Sequence, residues 1–227
     1  MKRYDYSLRH RVIEVFGILT LIAMSFGIAW TIADGLRGQP EAGWWLLPSA
    51  VLLGYLGADF ISGFVHFLAD RFFSESTPVI GQNFVKPFRD HHRDPTDIAK
   101  HDFIETNGNN SLISIAPLGF LWWWLPSTEL WGLFGLVTAL SMALGVLATN
   151  QIHKWAHMEA PPRYVRGLQK RRLILSPAHH DVHHRPPHDA NYCITTGWLN
   201  PILRGVGFFP RAEAVLSWVL PSARSTK

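Results

Sequence analysis

Charged residues are sparse in three stretches of the chain, Val12 to Ile32, Trp44 to Phe67 and Ser111 to Leu147, and dense elsewhere. Long apolar blocks separated by polar ones are the pattern of a chain that crosses a bilayer, where a spanning helix needs ~20 apolar residues. Four segments qualify: Val12–Ala33, Trp44–Phe67, Leu112–Leu125 and Leu130–Thr149. The third is short and predicts a tilted or re-entrant passage. No repeat or low-complexity tract divides the chain, so residues 1–227 read as a single domain. The expected fold is an all-α integral membrane protein with about four transmembrane helices.

Charge orients this arrangement. Of the 21 Lys and Arg, 20 fall within residues 1–11, 70–110 and 150–227, and only Arg37 lies in a connection on the other side. Basic residues concentrate on the cytoplasmic side of membrane proteins. Both termini and the 70–110 loop are therefore expected in the cytoplasm. Lys2, Arg3, Arg9 and Arg11 precede an apolar run that is long for a signal core and lacks a small-residue cleavage site, which predicts a retained first span. Topology accounts for the net charge of +4 without nucleic acid. Basic and aromatic positions do not interleave as in a single-strand binder. The lone cysteine, Cys193, excludes an internal disulfide, a CxxC pair and a cysteine-ligated cluster, and reads as a small buried residue.

Histidine changes the picture most. There are 12, of which His10 reads as surface and the other eleven lie between His66 and His188. The topology puts all eleven on one side, as a cytoplasmic His-rich metal-binding cap. The second span ends GADFISGFVHFLAD, where Asp59, His66 and Asp70 share one helical face. A carboxylate in such a helix faces the bundle interior or an ion. The next loop holds the adjacent pair His91 and His92, then His101 with Asp102 and Glu105. Adjacent helical residues diverge by ~100°, so both bind directly only if they serve two ions. After the fourth span, TNQIHKWAH aligns Asn150, His153 and His157. This HxxxH places two imidazoles one turn apart, but Lys154 stands where a HExxH metalloprotease needs Glu. The last cluster, AHHDVHHRPPHDANY, holds His180, His183 and His184 as HxxHH, flanked by His179 and His188, with Pro186 and Pro187 ending any helix.

These residues exceed what one ion takes up. Imidazole suits Fe, Zn, Cu or Ni, and the missing thiolates argue against copper(I) or iron–sulfur chemistry. The candidate ligands are His66, Asp70, His91, His92, His101, His153, His157, His180, His183 and His184. Asp59, Asp102, Glu105, Asn150, His179, His188 and Asp189 are candidates to orient them or to add further ligands. A haem carrier would place single histidines at matched depths in two spans. A metal transporter would place polar ligands at the bilayer midplane, where three of these spans have almost none. Tyr192, Trp198 and Asn200 are candidates for the headgroup end of a lipid slot. The spacing resembles that of membrane desaturases and hydroxylases with two irons.

Four passages sharpen that likeness: ADFISGFVHFLAD, PFRDHHRDPTDIAKHDFIETNGNN, TNQIHKWAH and HHDVHHRPPHDANYCITTGWLN, in order over about 58–200. Here the sequence resembles the plasmanylethanolamine desaturase family, departing from it in having Phe67 where Trp follows the histidine. The resemblance implies two iron ions, O2 as co-substrate and an ether phospholipid substrate. In that substrate the first two carbons of the alkyl chain lose two hydrogens to form a vinyl ether. A related di-iron acyl-lipid desaturase or hydroxylase is the alternative. No GxGxxG fingerprint is present, so electrons are expected from an external donor of the ferredoxin or cytochrome b5 type.

Overall fold

A computed structural model describes residues 7–78 and 80–220. Lys2, Arg3, Arg224 and Lys227, four of the cations counted for topology, lie outside the described residues. The described elements are helical: α1 (Leu8–Arg37), α2 (Gly43–Arg71), a π-helical turn at Gly81–Val85, α3 (Lys86–Arg93), a 3-10 turn at Asp97–Lys100, α4 (Phe103–Trp124), α5 (Leu130–His157), α6 (Arg163–Lys170), α7 (Pro177–Asp181), α8 (Leu199–Gly205) and α9 (Phe208–Val219). Three of them, α1, α2 and α5, are long and apolar enough to cross a membrane. α1 leaves Val12, Phe16, Phe26 and Trp30 on its outside. A helix apolar on nearly every face suits lipid, which satisfies no backbone groups but accepts side chains of this kind. His10 is exposed and shares a capping box with Ser7 at the start of α1.

The chain divides into two compact units, and the division falls inside α2 and α5. The first comprises residues 1–58 and 101–151. Its core is aliphatic: Leu21 and Ile28 of α1, Leu46 of α2, Leu118 of α4, and Leu133 and Leu136 of α5. α1 and α4 run parallel, with Gly17 against Leu112 and Gly27 against Trp122. The Trp122 indole donates to Thr31 Oγ1 at 3.1 Å. α2 and α5 also run parallel, with Gly54 against Thr138 and Ser141 and Ala58 against Gly145.

α4 begins at Phe103, nine residues before the apolar segment that the sequence marks. Its polar first half is helical because α5 satisfies it. Asn110 Nδ2 donates to Val146 O at 2.7 Å, and Asn150 Nδ2 donates to Thr106 O at 3.1 Å. Asp102 caps the helix by accepting from the amides of Ile104 and Glu105, and it pairs with Arg11 at 2.5 Å. Asn150 and Asp102 thus tie down the start of α4.

The second unit comprises residues 59–100 and 152–227. Phe67, Phe72, Tyr192, Cys193, Leu203 and Phe209 form its core. Cys193 is fully buried, as expected, and packs so tightly on Gly63 that a Cβ there would come within 2.5 Å of its sulfur. Asp59 is fully buried and anchors the turn that follows Cys193. One carboxylate oxygen accepts from the amides of Thr195, Thr196 and Gly197 at 3.1, 2.7 and 3.0 Å, and the other accepts from Leu199 at 3.2 Å. Four amide donors satisfy a carboxylate that would otherwise be costly to bury.

The approach of α2 to α5 yields a stability prediction. A Cβ at Gly54 would collide with the Thr138 carbonyl oxygen, whereas one at Gly43 would meet nothing within 4 Å. Gly54→Val should lower the midpoint of thermal unfolding in detergent by about 3–10 °C, the range for overpacking a close contact. Gly43→Val, also helical, should shift it far less.

Candidate metal centre

Four short stretches of the second unit supply the site. His66 and Asp70 lie on the last two turns of α2, four residues apart. His91 and His92 end α3. His153 and His157 end α5. His180 lies in α7, whose first turn is set by Ser176 as N-cap and by Pro177, and His183 and His184 follow in the next turn. Each position is a helix end, where the backbone is regular enough to fix a side chain.

These residues form two groups. His91, His153, His157, His180 and His184 make one, and His66, Asp70, His92 and His183 make the other; in each, one ligand atom per residue lies within 4.8 Å of all the others. Adjacent residues part company. His91 joins the first group and His92 the second, and His184 and His183 divide in the same way. This is the divergence that ~100° per residue imposes.

Distances show the convergence. In the larger group His153 Nε2 lies 2.8 Å from His180 Nε2 and 3.2 Å from His157 Nε2, and His184 Nε2 lies 3.0 Å from His180 Nε2. In the smaller group His183 Nε2 lies 3.0 Å from both His66 Nε2 and His92 Nε2, and 3.4 Å from an Asp70 oxygen. The groups are neighbours: the His92 and His184 ring centroids are 5.3 Å apart, and those of His66 and His153 6.0 Å.

Hydrogen bonding accounts for only part of this packing. His183 Nδ1 lies 2.8 Å from the Ala190 carbonyl, so Nδ1 carries the proton and Nε2 presents a lone pair to the group. Both Asp70 oxygens and His91 Nε2 are buried without a hydrogen-bond partner. An orphaned buried polar group costs on the order of 1–3 kcal/mol, more when charged. A cation among them removes that cost, and a set of imidazoles with one carboxylate suits a divalent transition metal. The residues present fit such ions. Burial, then neighbouring imidazoles, pull His91 down to about 2 and His92 and His184 to about 3. His180 is lowered for the same reasons. Neutral imidazole is the form that binds metal.

The remaining predicted residues are placed as follows. His188 supports the site: its Nδ1 lies 3.1 Å from the His183 carbonyl, and its ring stacks on His92 at 4.4 Å. His179 turns away to Asn200 Nδ2 at 2.9 Å. His101, expected among the ligands, falls outside both groups, and its Nδ1 faces Glu105 at 3.3 Å. Glu105 is thereby paired outside them too. Asp59 orients a backbone turn, as described above. Tyr192, Trp198 and Asn200 do not form an open headgroup end. Tyr192 is buried, its ring 5.3 Å from that of His183. Asn200 is buried and bridges both backbone groups of Cys193. The Trp198 indole donates to Arg172 O at 2.6 Å. Two supports escaped the sequence reading: the Ala190 carbonyl, which no side-chain pattern reveals, and Tyr192 as a wall of the site.

Comparison with known proteins points the same way. A family model described as a lipid desaturase domain matches residues 55–224. The chain is 46% identical over 213 residues to the plasmanylethanolamine desaturase of Myxococcus xanthus, covering 94% of this chain and 74% of that one. It is 44% identical over 173 residues to plasmanylethanolamine desaturase 1 of Mus musculus, covering 73% and 63%. It is 33% identical over 179 residues to the chloroplastic fatty acid desaturase 4-like 2 of Arabidopsis thaliana, covering 76% and 61%. The chain thus spans about two thirds of the length of these relatives. No solved structure matches it. Every residue of the two candidate metal-binding groups lies inside the matched region, and the chain belongs to the lipid desaturase family.

Proposed function

We propose that this lipid desaturase is an O2-dependent, di-iron plasmanylethanolamine desaturase that forms the vinyl ether bond of an ether phospholipid. The observation that carries the reading is the pair of adjacent ligand groups, with rings 5.3 Å apart across them. His91, His153, His157, His180 and His184 would hold one iron, and His66, Asp70, His92 and His183 the other. Iron held there would activate O2, the oxidant for removing two hydrogens from adjacent carbons. The protein's own task is positional. Ala190 O fixes the His183 tautomer, the His188 ring holds the His183 main-chain carbonyl, and burial keeps water from the ligands. Names of relatives favour the ether substrate: the two matches at 46% and 44% identity are called plasmanylethanolamine desaturases. The acyl-lipid alternative rests on the 33% match to a fatty acid desaturase.

In this reading the chain works as one membrane desaturase domain. Four helices cross the bilayer, α4 among them, with both termini and the ligand groups in the cytoplasm. The distribution of 20 of 21 cations supports that topology. So does the parallel pairing of α1 with α4 and of α2 with α5, which alternate crossings require. Each turnover needs two electrons from an external donor of the ferredoxin or cytochrome b5 type.

Two outcomes are expected. Cells expressing the chain, fed an alkyl ether phospholipid, should accumulate an acid-labile vinyl ether lipid by mass spectrometry. An unsaturated or hydroxylated acyl chain with no vinyl ether would select the alternative. In purified protein, His183→Ala and His153→Ala should each cut product formation on the order of a hundredfold or more and reduce bound iron. His101→Ala should retain iron and most activity. Normal iron and activity in either of the first two variants would remove that residue from the ligand set.

A further inference from the structure

α6 and the two residues after it carry Arg163, Arg166, Lys170, Arg171 and Arg172, five exposed cations within ten residues. No Asp or Glu lies between Glu159 and Asp181. Among the described residues none of the five forms an ion pair. Folding does not explain the arrangement. Arg163 with Arg166, and Arg166 with Lys170, are like charges at spacings that repel on a helix. Arg163 also sits in the first turn, where the helix dipole disfavours a cation. The inner face of α6 is well tied down. Val165 and Gln169 are buried, Gln169 Nε2 donates to Trp155 O at 3.4 Å, and Tyr164 meets the Trp155 ring edge-on with centroids 6.1 Å apart. Trp155 lies between the ligands His153 and His157.

The outer face indicates what kind of partner it meets. A helix that seeks the bilayer surface needs an apolar face beside its cations. α9 has one, with Val215, Trp218 and Val219 exposed. α6 exposes only Tyr164, with Leu173 just beyond its end. A cationic surface without an apolar wedge suits a soluble anionic protein, which it attracts over long range.

We propose that Arg163, Arg166, Lys170, Arg171 and Arg172 are the docking surface for a soluble, acidic one-electron carrier protein, which delivers its electron beside the Tyr164–Trp155 pair. The inference rests on the desaturase reading above. In the reaction, R–O–CH2–CH2–R′, O2, two electrons and two protons give R–O–CH=CH–R′ and two waters. Two reduced carriers each lose one electron per turnover.

The test uses iron-loaded, full-length protein in neutral phosphatidylcholine nanodiscs. Two reactions are compared. One is steady-state turnover with reduced [2Fe–2S] ferredoxin or, separately, the reduced soluble domain of cytochrome b5. The other is a single turnover begun by O2 after chemical reduction, with no carrier present. In the triple variant Arg163→Glu/Arg166→Glu/Lys170→Glu, KM for the supporting carrier should rise at least tenfold and lose its dependence on salt, while the single turnover is unchanged. The corresponding triple Gln variant should fall between. An unchanged carrier KM would overturn the proposal, as would an equal loss in the single turnover or turnover with neither carrier. A defect confined to nanodiscs containing phosphatidylglycerol would assign the surface to anionic lipid instead. Absence of vinyl ether product from the wild-type single turnover would overturn the desaturase reading itself, and this inference with it.

Discussion

Nine side chains of the two candidate metal-binding groups converge in the interior of the second unit, and the account depends on how that arrangement is tolerated. Imidazole nitrogens 2.8–3.2 Å apart can share one proton per pair at most. His183 spends its proton on Ala190, and Asp70 has no donor at all. Without a cation one imidazole hydrogen serves each such contact at most, and both Asp70 oxygens stay buried without a hydrogen-bond partner. Protonating His91, His92, His180 or His184 does not relieve this, because burial and neighbouring imidazoles hold these four well below the ordinary histidine range. Bound divalent metal ions would satisfy both the facing imidazole nitrogens and the Asp70 oxygens at once.

That requirement explains how the surroundings are built. Ligands sit at helix ends, where regular backbone gives fixed spacing and the last turn leaves the apolar segment. Asp59 and Asn200 clamp the backbone from Cys193 to Leu199, and Gly63 lets Cys193 pack directly against α2. Tyr192 leads that segment and closes the site beside His66 and His183.

Much of this could be read from the chain alone. Helical periodicity made HxxxH and HxxHH legible, and the same periodicity divides His91 from His92 and His183 from His184. Apolar block length located α1, α2 and α5. What escaped depends on partners distant in sequence. The first half of α4 looked like a polar loop because Asn110 and Asn150 are satisfied across to another helix. Asp102 and His101 resembled site residues by composition, yet each is taken by a near neighbour or by Arg11. Asp59 has the look of a ligand carboxylate, but its four donors are backbone amides that carry no sequence signature.

X-ray absorption at the iron edge of purified protein, with metal quantitation, tests the central claim most directly. The account predicts two irons per chain, coordinated by nitrogen and oxygen with several imidazoles and no sulfur, and each with the other iron as a near neighbour. A single ion per chain, sulfur coordination, or full occupancy by zinc in active protein would contradict it.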